Sequence, residues 1–231
     1  MKHLISTLLA SMTAALFLVQ PAVAAPVTMA FEGVIESVYH ATSTDPFGTA
    51  ISIGTPLSGR YTFDTATPNT GNSGYGVYID SSSSVGLQVQ VGSFSGSSAT
   101  ALVPLNYRII TDGLNNNNVV QDIQTQDFLF GGVNAYLAQI FLEGLSTSLS
   151  SVDLSSTAPN LADYFTHTFV LGIGPLTHAA DVVYQGTITS IHAVPEPPIG
   201  SLLALTVVVA GLASMRRRSG CELLPVSDLQ T

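Results

Sequence analysis

Serine, histidine and carboxylate side chains are the residues of this sequence that could perform chemistry. Cysteine contributes little, since the sequence contains one, Cys221. A nucleophilic serine often lies in a Gly-x-Ser-x-Gly turn. The nearest string, residues 92–96, has Phe94 at its centre, which excludes that arrangement. Cys221 follows the C-terminal apolar segment, so the central region has no disulfide framework and no cysteine-based metal site.

The histidines show no spacing typical of a metal site or a catalytic site. There is no H-E-x-x-H motif and no paired spacing of the kind that binds zinc. Asp163 could meet His167 in space, and His178 could meet a nearby carboxylate at Asp181, but a Ser-rich sequence often produces such neighbours by chance. The other histidines of the central region, which suit strand edges or loops, are His40 and His192. We predict no catalytic residue and no enzymatic activity, with a secreted hydrolase as an alternative.

An Asn-rich stretch, residues 112–118, offers oxygen ligands for a hard cation. Its candidate ligands are Asp112, Asn115 and Asn117, and Ca²⁺ takes six or more oxygens in proteins. The alternating D-x-[DN]-x-[DN]-G pattern of a calcium loop is missing. The stretch is therefore predicted to be a solvated turn and no cofactor is expected, with weak Ca²⁺ binding as the alternative.

Two tyrosines, Tyr75 and Tyr78, lie near the polar residues Asn72 and Asp80 and could form a platform for a sugar ring. Tyrosine at these positions is more often half-buried strand packing. We adopt the packing interpretation and keep the sugar platform as its alternative.

Short alternating runs predict β-strands throughout the central region, because they are rich in Val, Ile, Tyr and Phe and are separated by turn residues. The predicted strands are residues 29–39, 57–64, 75–79, 85–94, 105–110, 128–130, 133–142, 164–171 and 182–191. The Gly131-Gly132 pair predicts a hairpin, and a short helix is expected near 161–164. The fold class is predicted to be all-β, with an antiparallel β-sandwich of jelly-roll type over residues 25–193.

The central region is acidic. It carries two arginines, Arg60 and Arg108, against twelve acidic residues between Glu32 and Asp181. Binding to nucleic acid begins with neutralisation of phosphates by cationic side chains. We therefore expect no nucleic-acid partner.

The N-terminus has the three-part pattern of a secretory signal peptide. A positive start at Lys2 precedes an apolar run over residues 4–19, and Ala22 and Ala24 supply the small residues of a cleavage site. We expect signal peptidase to cut after Ala24, so residues 1–24 are excluded from the fold.

The C-terminal region, 194–218, contains a Pro-Glu-Pro motif, an uncharged apolar run over 199–215 and a basic cluster. The run has seventeen residues, which as a helix would be about 26 Å long and just span a bilayer core. The basic cluster is Arg216, Arg217 and Arg218. By the positive-inside rule these arginines stop transfer and stay in the cytoplasm with a short tail, 219–231, while the central domain is outside.

This order of motif, helix and arginines resembles the PEP-CTERM sorting signal of Gram-negative bacteria. The resemblance implies that Pro195, Glu196 and Pro197 are recognised by exosortase, a membrane-bound processing enzyme. It also implies an inner-membrane-anchored precursor with a periplasmic domain, then delivery to the cell envelope or extracellular matrix. On this basis we expect an exported, non-enzymatic protein associated with exopolysaccharide. A carbohydrate-binding module, with or without Ca²⁺, is the alternative.

Overall fold

The computed structural model describes residues 26–40, 45–72, 74–82, 85–98, 104–110, 118–145, 151–174 and 181–195. Within these segments the chain forms ten β-strands and two one-turn 3₁₀ helices, Gly48–Ala50 and Leu161–Asp163. The strands are β1 (Pro26–His40), β2 (Pro56–Asp64), β3 (Tyr75–Asp80), β4 (Gly86–Val91), β5 (Phe94–Ser97), β6 (Leu105–Ile110), β7 (Asn118–Phe130), β8 (Val133–Leu145), β9 (Tyr164–Ile173) and β10 (Val182–Ala193). The predicted all-β class is confirmed.

Glycine turns set the strand boundaries where the sequence runs were ambiguous. The predicted run 85–94 is two strands, because Gly92 has a positive φ of 58° and turns the chain between β4 and β5. The predicted hairpin at Gly131 and Gly132 is confirmed: both residues have positive φ, and Phe130 pairs with Val133 across the turn. A two-residue hairpin needs this left-handed backbone, which glycine adopts without steric cost.

Eight of the strands close into a barrel. Around the ring, β1 pairs with β2, β2 with β4, β4 with β5, β5 with β7, β7 with β8, β8 with β9, β9 with β10, and β10 with β1. Every one of these pairs is antiparallel. The predicted sandwich is therefore wrong, because the described strands form one closed sheet rather than two packed sheets.

The physical reason for closure lies in β7. One edge of this 13-residue strand pairs with β8 along nearly its whole length. The opposite edge is shared: β6 pairs with residues 120–124, and β5 reaches Phe130 through Gly96. The strand β3 then adds to the free edge of β6. The alternating pattern of buried and exposed residues is the same in a sandwich and in a barrel. The pattern therefore does not reveal that one edge of β7 pairs with both β5 and β6.

Aromatic side chains fill the barrel interior. The largest fully buried side chains include Phe31, Tyr61, Phe130, Phe169 and Tyr184. Phe31 stacks on Phe169 with ring centroids 6.1 Å apart. Its ring also crosses Gly59, where a Cβ atom would lie 2.4 Å from the ring and 2.2 Å from a neighbouring backbone oxygen. Only glycine allows so close an approach, so this position of β2 is fixed by packing.

Several predictions fall on residues outside the described segments. They concern Ala22, Ala24, Asp112, Asn115, Asn117, Glu196, Pro197, the apolar run 199–215, Arg216, Arg217, Arg218 and the tail 219–231. Pro195 ends the described part of the chain, and its side chain is exposed. Among the residues that the structure describes, no helix has the length and apolar character needed to cross a membrane.

Candidate functional site

A polar groove of about 700 Å³ runs across the outer face of the barrel, over β2, β4, β5 and the β7–β8 hairpin. We call it the outer groove. The residues that line it are Ser58, Gly59, Arg60, Gln88, Val89, Gln90, Ser95, Gly96, Ser97, Asp127, Phe128, Leu129 and Asn134. Most of these residues are polar or charged, but apolar atoms form as much of the groove surface as polar atoms do, so the groove suits a ligand that has both hydrogen-bonding groups and apolar faces.

Strand alternation places these side chains outward. In β4, Leu87, Val89 and Val91 are buried, so Gln88 and Gln90 between them are exposed. The strand register then aligns outward residues across three strands in two rows. The rows are Arg60–Gln88–Ser97 and Ser58–Gln90–Ser95. Neighbouring strands lie about 4.8 Å apart, so each row is a polar line about 10 Å long.

The backbone of Asp127 is unusual. Among the described residues, it is the one non-glycine residue with a positive φ, 55°. The β7–β8 ladder passes from the Gln126–Leu137 pair to the Phe128–Ala135 pair with no pair at Asp127, and β8 shifts register against β9 at the same level. A left-handed backbone costs free energy in any residue with a Cβ atom, although aspartate tolerates it better than most. This conformation puts the Asp127 side chain on the outer groove.

The groove offers balanced hydrogen-bonding chemistry. Gln88, Gln90 and Asn134 can each donate and accept through their amides. The Gln90 Nε2 atom donates to the carbonyl oxygen of Gly92 at 3.1 Å, which holds that amide in place. Arg60 contributes a cation, Asp127 an anion, and Leu129, 62% exposed, an apolar contact. Such a surface fits a neutral, hydroxyl-rich molecule better than a strongly charged one.

The histidines of the described segments do not form a site. His40 and His192 are exposed at strand ends, as the sequence predicted. His167 lies on β9 with its Nδ1 atom buried and without a hydrogen-bond partner. Within the part of the chain that the structure describes, no three His, Cys, Asp or Glu residues are grouped so that they could hold a metal ion. His178 lies outside the described segments.

Tyr78 packs inside the fold, as predicted, and does not form a sugar platform. Its side chain is 5% exposed, and its hydroxyl donates to the carbonyl oxygen of Val152 at 2.8 Å. Burial chiefly, with the carboxylate of Asp153 adding, raises the pKa of Tyr78 above its ordinary value. Tyr75 is half-buried at the start of β3. Tyr78 therefore packs in the fold and bonds the segment at Val152, and Tyr75, three residues away on the same strand, faces the opposite side of the sheet.

The outer groove was not predicted from the sequence. Alternation marks Gln88 and Arg60 as outward-facing, but it cannot show that β2, β4 and β5 are neighbours, because that depends on the closure of the sheet. The outward glutamines and serines on the runs 57–64 and 85–94 gave no distinguishing signal, because the solvated face of an antiparallel sheet is ordinarily polar.

Comparisons with known proteins give no match: no family model, no curated protein and no solved structure matches this chain.

Proposed function

We propose that this chain is an exported, non-enzymatic protein of the cell envelope or extracellular matrix, whose barrel binds a neutral exopolysaccharide in the outer groove. The observation that carries the binding proposal is the position of Asp127. Non-glycine residues with unfavourable backbone geometry cluster at functional sites, where a surrounding structure holds them in place. Here that residue lies on the same groove as the two registered polar rows.

The charge and shape of the groove select the class of ligand. A polysaccharide chain presents hydroxyl groups that both donate and accept, and amide and hydroxyl side chains match them. The outer groove spans four adjacent strands, about 14 Å, which suits an extended polymer rather than one small molecule. The acidic balance of the domain, two arginines against twelve acidic residues, opposes binding of polyanions.

The groove is tested by removing two of its amides. Gln88→Ala with Gln90→Ala is expected to weaken binding to a neutral polysaccharide about tenfold or more, because each lost hydrogen bond contributes about 0.5–1.5 kcal/mol. Affinity electrophoresis in gels containing dextran, galactomannan or β-glucan measures the change. Alginate serves as the anionic comparison and is expected not to retard the protein.

The matched control is Gln185→Ala. Gln185 is also an outward-facing, exposed glutamine, but it lies on β10, away from the groove lining. This variant is expected to bind like the wild type. If the wild-type protein shows no saturable retardation in any of the three neutral gels, or if Gln185→Ala weakens binding as much as the double variant, the groove proposal is wrong.

Sorting to the envelope is proposed from the Pro-Glu-Pro tail. Two prolines fix φ and lack N–H donors, so we expect the motif to be extended and not to continue the helix predicted from the apolar run 199–215. Replacing Pro195, Glu196 and Pro197 by alanine, in a host that has an exosortase, is expected to leave a longer, membrane-retained form. Mass spectrometry of the mature protein and cell fractionation measure this result. Pro198→Ala, just outside the motif, is the control, and an unchanged mature mass and location in the triple variant would contradict exosortase processing.

A further inference from the structure

A second cavity, separate from the outer groove, lies at one end of the barrel. Its volume is about 240 Å³, and it is lined by residues of β1, β2, β6, β7 and β9 and by residues of the segment 153–163. We call it the end cavity. The strand residues that line it are Met29, Tyr61, Tyr107, Ile109, Gln121 and Tyr164. It shares no lining residue with the outer groove.

A hydrogen-bonded chain of three side chains forms part of the wall. The Tyr107 hydroxyl donates to Gln121 Oε1 at 2.6 Å, and Gln121 Nε2 donates to the Tyr164 hydroxyl at 2.5 Å. Gln121 is 5% exposed, so its amide is desolvated and both of its ends are occupied. The wall is therefore rigid and polar before any ligand binds. Less conformational entropy is then lost when a ligand binds.

Tyr61 supplies the decisive feature. Its side chain is fully buried and lines the end cavity. Among the described residues its hydroxyl has no hydrogen-bond partner of normal geometry, although the Tyr107 hydroxyl lies close enough to interact with it. The ring is held between Phe63, stacked at 6.0 Å, and Tyr107, edge-on at 6.2 Å, so the hydroxyl is fixed in position. A buried polar group without a partner destabilises the fold. In a cavity with polar walls, an ordered water molecule or the hydroxyl of a ligand satisfies such a group.

The lining indicates the charge of the ligand. No Lys, Arg or His contributes to the end cavity among the residues described, whereas Asp153 and Asp163 lie on the segment that covers it. Anions are therefore disfavoured. The deep wall is neutral, because burial raises the pKa of Tyr61 and Tyr107 and keeps both hydroxyls protonated. A cation placed there would lose its hydration without gaining a buried carboxylate, since both aspartates are exposed.

We propose that the end cavity binds one neutral, polyhydroxylated ring of monosaccharide size, with a ligand hydroxyl bonded to the hydroxyl of Tyr61. The apolar side chains Met29 and Ile109 contact the carbon face of the ring, and the Tyr107–Gln121–Tyr164 chain presents polar atoms to its rim. This site does not depend on the outer groove, because the two share no residue and differ in size and enclosure.

Tyr61→Phe tests the assignment, because it removes the hydroxyl and leaves the packing. We expect the affinity for the ligand to fall at least tenfold while the protein stays as stable as the wild type or becomes more stable, since an unsatisfied buried group is lost. Isothermal titration against D-glucose, D-galactose, D-mannose and myo-inositol measures binding, and urea unfolding measures stability. D-glucuronate and D-glucosamine are the anionic and cationic comparisons.

Tyr184→Phe is the matched control. Its hydroxyl is also buried, but it donates to Asp45 Oδ1 at 2.5 Å, away from the end cavity, so this variant is expected to lose stability and keep its affinity. Saturable binding of a neutral ring that Tyr61→Phe weakens and Tyr184→Phe preserves supports the site. No saturable binding by any neutral ring, binding of only the charged sugars, or equal affinity of Tyr61→Phe and the wild type would overturn it.

Each of the two binding proposals can be contradicted independently of the other. The Gln88→Ala and Gln90→Ala double variant is expected to keep wild-type affinity for the monosaccharide, and Tyr61→Phe is expected to keep wild-type retardation in polysaccharide gels. A loss of both activities in either variant would show that one site serves both ligands and would overturn the end cavity as a separate site.

Discussion

Above pH 10, the free energy of unfolding is expected to fall by about 3 kcal/mol for each pH unit because of Tyr61 and Tyr107 alone. Burial raises the pKa of both hydroxyls well above the ordinary value of 10. The folded protein therefore keeps two protons that the unfolded chain releases near pH 10. The stabilisation is complete below pH 10 and is lost as the pH rises, at about 1.4 kcal/mol per pH unit for each tyrosine.

Two further tyrosines, Tyr164 and Tyr184, are also expected to make the free energy of unfolding fall as the pH rises. Burial raises the pKa of Tyr164 and of Tyr184, and the bond from Tyr184 to the Asp45 carboxylate also opposes ionisation. Alkaline unfolding should therefore be steeper than Tyr61 and Tyr107 alone would produce. Tyr61, Tyr164 and Tyr184 lie on strands of the barrel, and Tyr107 lies on β6, which pairs with β7 in the same sheet. We therefore expect the four hydroxyls to ionise together when this sheet unfolds.

Urea unfolding at a series of pH values between 8 and about 11.5 measures this slope, with circular dichroism reporting the fold and phenolate absorbance reporting ionisation. Tyr61→Phe should reduce the slope by about 1.4 kcal/mol per pH unit, because one linked proton is removed. Tyr39→Phe makes the same chemical change at a side chain that is 67% exposed, and it should leave the slope at the wild-type value. If both variants give the wild-type slope, Tyr61 is not protected from ionisation by the fold.

Local pattern predicted most of the strands, and the failures have a physical cause. Runs such as 57–64 were recognised because buried and exposed residues alternate with a period of two, which is a property of neighbouring residues. The first ten residues of β7 were missed because they place polar side chains at buried positions. The polar side chains buried there are Gln121, Asp122 and Thr125. From the sequence alone, a polar residue that is buried in a strand cannot be distinguished from a residue of an exposed loop, because its hydrogen-bond partner is not known.

Those partners are distant in the sequence. Asp122 is bonded to Arg108 on β6 and accepts from Gln139 Nε2 on β8 at 2.9 Å. Burial lowers the pKa of the Arg108 guanidinium, but the adjacent carboxylate outweighs it and the pKa is raised overall. Gln121 likewise finds both of its partners on other strands. The sequence therefore contains the polar residues of the end cavity wall but carries no local signal that they meet.

Closure of the barrel could not be predicted for the same reason, because it depends on a contact between residues that are distant in the sequence. The contact between β5 and β7 consists of one residue pair, Gly96 with Phe130, and one further hydrogen bond from the Gly131 amide to the Ser95 carbonyl at 2.9 Å. We call this contact the seam. A pairing of one residue pair is too short to produce a recognisable hydrophobic pattern in the sequence. This pairing nevertheless makes the difference between an open sheet and a barrel.

Gly96→Val is expected to lower the free energy of unfolding by about 3 kcal/mol and to open the seam. A Cβ atom at Gly96 would lie 2.7 Å from the carbonyl oxygen of Leu129 and 2.8 Å from the ring of Phe128. Two methyl groups beyond it increase the overlap, and such overpacking costs about 1–3 kcal/mol even where neighbours can shift. The carbonyl belongs to a strand held in the ladder with β8, so it cannot move without disturbing that ladder.

Ser95→Val is the matched control, because Ser95 precedes Gly96 on β5 but is exposed on the outer face. Its stability should stay within about 0.5 kcal/mol of the wild type, since valine suits an exposed strand position. Urea unfolding compares the two variants, and hydrogen exchange of the Gly131 amide reports the seam directly. Faster exchange at Gly131 than at amides between β1 and β10 means that the seam opens before the rest of the barrel. Equal stability of the two valine variants would contradict the steric argument, and with it the view that glycine at position 96 is what allows the sheet to close.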